Sequence, residues 1–232
     1  MTISILTLFP EIFTPIFSSS IIGRAQKKGL VDIRYVNIRD FSTDKHHSVD
    51  DKPYGGGVGM ILRVDVVEKA IEKAKAVKTH RMVATSDVDS SEVEELRSGY
   101  TEKVILLDPK GKQFNQSKAR SFAKLDHLIL VCGHYEGIDA RIANFVDEVV
   151  SIGKYVLTGG EIPAMVVTDA VTRLTPGVLS KKEATLYESY SKGNLLEYPQ
   201  YTRPENYKGY QVPKVLLSGN HKKIGEWQRQ AH

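Results

Sequence analysis

Short apolar stretches of strand length recur at 3–9, 31–38, 81–85, 103–107, 128–132 and 146–152, and helix-like segments separate them. That alternation constrains the fold most, because strands joined through helices return in the same direction and build a largely parallel sheet, an α/β architecture. Helix starts are marked by polar side chains able to accept a bond from an unpaired backbone N–H. Ser18-Ser19-Ser20 precedes a segment that stops near Gly29, Asp65 one that runs to Ala76, Asp89 or Ser90 one to Arg97, and Asn115 one to Lys124. A further helix is expected over 161–174, stopped by Pro176-Gly177, and a last one over 213–232 with Asn220 as a cap.

Ligands of parallel sheets bind outside the carboxyl ends of the strands, so the loops that follow strands are the place to look. Three of these are rich in glycine: Leu107-Asp-Pro-Lys-Gly-Lys112, Gly133-His-Tyr-Glu-Gly137 and Ser151-Ile-Gly-Lys-Tyr-Val-Leu-Thr-Gly-Gly160. A fourth, Pro53-Tyr-Gly-Gly-Gly-Val-Gly-Met60, lies in a long polar stretch between a strand and a helix. One such loop is an ordinary tight turn; four on one sheet point to a site. No GxGxxG opens the first helix after a strand and no GxxxxGK[ST] occurs, which excludes the common dinucleotide and phosphate-loop modes. His46, His47 and Asp50 lack the spacing of a metal site, so no metal ligands are assigned.

The 232 residues are 41% hydrophobic and 26% charged, which suits one sizeable core with a smaller appendage. No apolar run approaches the roughly 20 residues of a membrane-spanning helix. Met1-Thr2-Ile3-Ser4 carries no basic segment ahead of its apolar stretch, so a soluble cytoplasmic protein without membrane partners is expected. The single cysteine, Cys132, sits in an apolar run and reads as a buried inert thiol. A net charge of +4 decides little, but 201–232 sets Arg203, Lys208, Lys214, Lys222, Lys223 and Arg229 against only Glu205 and Glu226. With Tyr201, Tyr207, Tyr210 and Trp227 interleaved, this segment suits a nucleic acid, and equally a solvated helical face over a few core aromatics.

Several long motifs, in order, resemble the bacterial tRNA (guanine-N1)-methyltransferases of the knotted SPOUT class. They are Ile5-Leu-Thr-Leu-Phe-Pro10, Asp51-Lys-Pro-Tyr-Gly-Gly-Gly-Val-Gly-Met60, Cys132-Gly-His-Tyr-Glu-Gly-Ile-Asp139 and the loop 151–160. Leu174-Thr-Pro-Gly-Val-Leu179, Leu195-Leu-Glu-Tyr-Pro-Gln-Tyr-Thr-Arg-Pro204 and Val212-Pro-Lys-Val-Leu-Leu-Ser-Gly-Asn-His221 extend the resemblance almost end to end. It implies a SPOUT-type parallel sheet with a deep trefoil knot over 1–179, an interdomain linker over 180–200 and a small helical tRNA-binding domain over 201–232. It also implies a homodimer with the active site at the subunit interface. General topology rules alone argue against any knot.

The resemblance further implies S-adenosylmethionine as cofactor, tRNA as partner, and methylation of N-1 of guanosine 37 beside the anticodon; a magnesium requirement stays open. Carried over by motif, Leu106, Leu107, Gly133, Tyr135 and Glu136 face one side of the cofactor, and Ser151, Ile152, Gly153, Tyr155, Leu157, Gly159 and Gly160 the other. Glu188 is the implied general base and Arg173 the cation for charge developing on the guanine oxygen. His46, Asp50, Tyr54, Gly59 and Ser189 fall on the substrate side, while Ser218, Asn220 and His221 touch RNA or cap the last helix. This chain has glutamate at 188 where the family usually has aspartate, and Asp169, four residues before Arg173 on the same helix, competes for the role of base. The chain ends at His232 without the basic tail of many relatives. Two other readings remain: a knotted ribose methyltransferase, and an RNA-binding protein of the same fold that has lost catalysis. The linker, polar and aperiodic, is expected to be mobile until substrate is bound.

Overall fold

The computed structural model describes residues 1–83, 99–191 and 193–230. Its contacts divide the chain into two compact units, Met1–Ser180 and Lys181–His232. The first contains, in order, β1 (Thr2–Thr7), α1 (Thr14–Phe17), α2 (Ser20–Lys27), β2 (Asp32–Asn37), β3 (Asp50–Asp51), β4 (Ile61–Leu62) and α3 (Val64–Val83). It continues with β5 (Glu102–Gln113), α4 (Gln116–Phe122), β6 (His127–Cys132), β7 (Glu148–Ser151) and α5 (Glu161–Thr172).

Five strands form one sheet in the order β2-β1-β6-β5-β7, and every pairing is parallel. β1 and β6, at its centre, are buried at every position, as strands covered on both faces must be. Alternate side chains feed two cores. Ile3, Ile5, Ile105, Leu107, Leu128 and Leu130 meet Ile22 and Ala25 of α2, Phe122 of α4, and Ala164, Val167 and Val171 of α5. Leu6, Val104, Leu106, Ile129 and Val131 point the other way, against Val66, Val67, Ala70, Ile71 and Ala74 along one stripe of α3.

At the amino-terminal end of the sheet, the hydroxyl of Ser4 lies 2.8 Å from Nε2 of His127, whose Nδ1 lies 2.8 Å from Oε2 of Glu102. That is the arrangement of an activated serine, but Ser4 and His127 are both 0% exposed, so no acyl donor reaches the hydroxyl. The network instead clasps three neighbouring strands, β1, β6 and β5, through their side chains. His127→Phe strands a buried hydroxyl and is expected to cost about 1–3 kcal/mol, read as a lower urea midpoint with an unchanged slope.

Several local expectations need correction. Arg81–Val83, expected to begin a strand, are the last turn of α3, which runs past Ala76; the rest of 81–85 and the helix expected after Asp89 lie outside the described residues. Asp65 is inside the first turn of α3 rather than capping it, and its carboxylate is taken by the Arg63 guanidinium. Ser19 holds the cap position of α2 without a side-chain cap bond, because its hydroxyl donates back to the carbonyl of Ile16. Asn115 and Asn220 do cap, accepting from the backbone N–H of Lys118 and Lys223.

The second unit contains a 3₁₀ turn at Lys182–Thr185, a two-stranded hairpin of β8 (Asn206–Tyr207) and β9 (Tyr210–Gln211), then α6 (Lys214–Leu217) and α7 (His221–Gln230). The single helix expected over 213–232 is therefore broken at Ser218-Gly219-Asn220, where Gly219 takes a left-handed φ of 67°. Tyr198 and Tyr201 lie against Trp227 at 6.3 Å, so two of the interleaved aromatic residues, Tyr201 and Trp227, meet in a partly exposed aromatic cluster.

Candidate active site

The loops at the carboxyl ends of β5, β6 and β7 enclose a cleft of about 300 Å³, at the lower end of the range for small-molecule sites. β5 contributes through an irregularity that local reading missed: Leu107 and Lys112 both pair with Val150, so the residues between them leave the ladder and return. The segment 107–112, expected as a simple loop, is thus a bulge inside a strand, and it presents Asp108, Pro109 and Lys110 to the cleft.

After β6, Gly133, His134, Tyr135 and Glu136 form the second wall. Tyr135 sits in the left-handed region at φ 60°, a conformation that non-glycine residues rarely adopt and that recurs at functional sites. The backbone N–H of Glu136 donates to Met60 O at 3.1 Å and that of Leu62 to Gly137 O at 3.0 Å. This wall is thereby tied to the hairpin of β3 and β4, whose tip is the glycine-rich loop. Beyond it, the Arg141 guanidinium and backbone N–H hold the Asp139 carboxyl down to about 2.

The third wall follows β7. Ser151, Ile152, Gly153, Tyr155, Leu157, Gly159 and Gly160 all line the cleft, joined by Val156, Thr158 and Pro163. Gly160 donates to Gly133 O at 2.8 Å, closing the third wall onto the second, and α5 starts immediately afterwards. Of the residues expected around a cofactor, Leu106 alone does not line the cleft; it is 6% exposed, in the core beneath, because alternation along β5 turns it to the opposite face from Leu107. Cys132 is buried just below the cleft, and burial followed by the neighbouring Glu161 charge pushes its thiol well above its ordinary value, so it offers no thiolate.

Apolar faces from Leu107, Ile152, Leu157 and Pro163, with carboxylates at Asp108 and Glu136, suit a flat heteroaromatic ring carrying hydroxyl and cationic groups. The family described as "tRNA (Guanine-1)-methyltransferase TrmD" matches residues 1–232 of this chain. The chain belongs to that family. The tRNA (guanine-N(1)-)-methyltransferase of Carboxydothermus hydrogenoformans is 50% identical over 230 residues, covering 99% of this chain and 81% of that protein. The proteins of the same name from Desulforudis audaxviator and Lactobacillus helveticus are 50% and 48% identical, each over 84% of its own length and over 99% and 98% of this chain. Membership of the TrmD family carries the SPOUT fold, of which the five-stranded parallel sheet with helices is the α/β body.

In this TrmD-family chain the other expected site residues are not among those that line the cleft, although a Cβ on Gly59 would stand 2.5 Å from Cγ of Glu136, which does. Arg173 is the C-cap of α5, half-buried, with its backbone N–H on Asp169 O; the Asp169 residue itself is exposed. His46 is exposed in a turn organised by Asp44, whose carboxyl the Ser42 hydroxyl and Ser48 N–H hold well below the usual carboxylate range. Asp50 is in β3, and Tyr54, 99% exposed, and Gly59 are in the hairpin tip. In the second unit Glu188 opens a tight turn, its carbonyl accepting from Ser191 N at 3.0 Å, while Ser189 Oγ accepts from Glu197 N at 2.9 Å. Among the described residues no three His, Cys, Asp or Glu side chains converge as a metal site, and no helix is long and apolar enough to cross a membrane.

A Cβ on Gly160 would stand 2.6 Å from Cys132 Cα and 2.8 Å from Gly133 N, both backbone atoms that cannot swing aside. Gly160→Ala is therefore expected to part the second and third walls and weaken adenosyl-ligand binding by about 10²-fold, measurable by calorimetry, since displacements near 1 Å have that effect on positioned groups.

Proposed function

We propose that this chain methylates N-1 of guanosine 37 in tRNA, beside the anticodon, with S-adenosylmethionine as methyl donor. We take it to act as a knotted homodimer whose C-terminal unit grips the RNA. The carrying observation is the cleft, built from three strand-end loops in a chain whose close relatives bear the name tRNA (guanine-N(1)-)-methyltransferase. The adenosyl group suits the apolar faces of Leu107, Ile152 and Leu157, and Asp108 and Glu136 suit its hydroxyls or positive charge. When bound, the cofactor supplies an electrophilic methyl group on sulfur. Magnesium needs only one or two carboxylates and keeps several waters, so these two acids also admit that ion without a preformed cage.

N-1 of guanine carries a proton at neutral pH. The carboxylate of Glu188 is assigned to remove it, and the Arg173 guanidinium to stabilise the negative charge that then grows on the adjacent exocyclic oxygen. His46, Asp50, Tyr54, Gly59 and Ser189 are assigned to the RNA side. Arg173 follows the last residue of α5, whereas Gly160 and Pro163, at its start, line the cleft. Twelve helical residues span about 18 Å, farther than an arginine side chain reaches. That separation supports a site in which one protomer's Arg173 serves its partner's cleft.

The test is transfer from labelled S-adenosylmethionine to unmodified tRNA carrying guanosines at 36 and 37, with nucleoside analysis of the product. N1-methylguanosine at 37 is expected. A 2′-O-methylated ribose would instead select the ribose enzyme, and cofactor binding without transfer would select the catalytically lost RNA-binding protein.

A further inference from the structure

Beneath the third wall lies a set of buried polar groups that no catalytic role above uses. Glu161, the first residue of α5, is 5% exposed, and its Oε1 accepts from the Thr7 hydroxyl at the end of β1 at 2.8 Å. Thr7 is fixed in turn, because its Oγ1 accepts from Phe9 N at 3.0 Å. The other carboxylate oxygen, Oε2, stands 4.0 Å from Nδ1 of His134, beyond hydrogen-bond range. That Nδ1 is buried and has no hydrogen-bond partner among the described residues. Buried polar atoms are nearly always paired, so an orphan facing a buried carboxylate across such a gap marks an arrangement built to close.

What roofs the gap is the cleft itself. Gly159 and His134 form an isolated antiparallel backbone bridge, and a Cβ on Gly159 would collide with Glu161 Oε2 and stand 2.7 Å from His134 Nδ1. His134 also lines the cleft, its ring edge-on to Phe9 at 5.0 Å and to Tyr135 at 4.9 Å. Any ligand pressing on Gly159 and His134 therefore presses on the gap.

We propose that Thr7, Glu161 and His134 form a positioning relay, in which a ligand in the cleft brings His134 Nδ1 into hydrogen-bond range of Glu161 and fixes the second wall against the third. The relay rests on the cleft being the adenosyl site. His134 and Glu161 are positioning residues: the bond they form favours the bound state of the loops over the empty one, and cofactor affinity carries that difference.

Calorimetric binding of S-adenosylhomocysteine, together with melting temperatures, tests the relay through two opposed substitutions. His134→Phe keeps a ring between Phe9 and Tyr135 and deletes the donor; His134→Asn deletes the ring and keeps an N–H near the place of Nδ1. The relay requires about tenfold weaker binding by the Phe variant at a melting temperature close to wild type, and binding within about threefold of wild type by the Asn variant. The reverse order, Phe tolerated and Asn impaired, shows that the ring serves only packing and overturns the relay. If the wild type binds and both variants bind equally well, the relay alone is wrong; if the wild type does not bind, the cofactor assignment falls and the relay with it.

Discussion

Replacing Glu188 by glutamine is expected to lower kcat for methyl transfer by about 10²–10⁴-fold while leaving binding of S-adenosylhomocysteine intact. Glutamine keeps the length and shape of the side chain but cannot accept the N-1 proton as the methyl group arrives. Binding survives because Glu188 lies in the second unit, outside the loops that build the cleft. The informative partner variant is Glu188→Asp, which keeps a carboxylate on the same turn and shortens its reach by one methylene, so activity within about tenfold of wild type is expected. Single-turnover rates separate the chemical step from product release. Full activity in Glu188→Gln would transfer the role of base to another group, and Asp169→Asn is the variant to make next.

The location of the cleft was legible in the sequence because its determinants are local. Strand-like runs ending in glycine-rich loops fix three walls at the carboxyl edge of a parallel sheet, and Gly133, Ser151 and Gly160 fall where that reasoning puts them. What escaped depends on partners distant in the chain. The bulge between Leu107 and Lys112 exists only as a register against Val150, and nothing within the hexapeptide signals it. The resemblance puts Leu106 and Leu107 alike against the cofactor, but alternation along β5 places one of the two in the opposite core. Thr7, His134 and Glu161 come from three separate segments, and the only local hint was an acid directly after a glycine pair at a helix start. At 81–83 the expected strand start fails for the opposite reason: propensity in a short apolar run yields to the continuing hydrogen-bond ladder of α3.

Removing the guanidinium in Arg173→Ala is expected to lower kcat by about 10²–10³-fold, the loss typical of one donor aimed at a developing oxyanion. The same substitution reports where the site is completed. An Arg173→Ala protomer retains a sound cleft, and a Gly160→Ala protomer retains its arginine. If the protein is the homodimer proposed above and each arginine serves its partner's cleft, co-refolding the two impaired variants in equal amounts makes half the dimers mixed, each with one competent site, provided the assay uses cofactor well below the concentration that Gly160→Ala needs. About a quarter of wild-type activity then returns. If each arginine served its own cleft, every site in the mixture would lack either the guanidinium or the closed wall, and activity would stay at the level of the separate variants. Complementation thus converts a helix length into a statement about which subunit performs which half of the chemistry, and it does so without requiring either variant to be active alone.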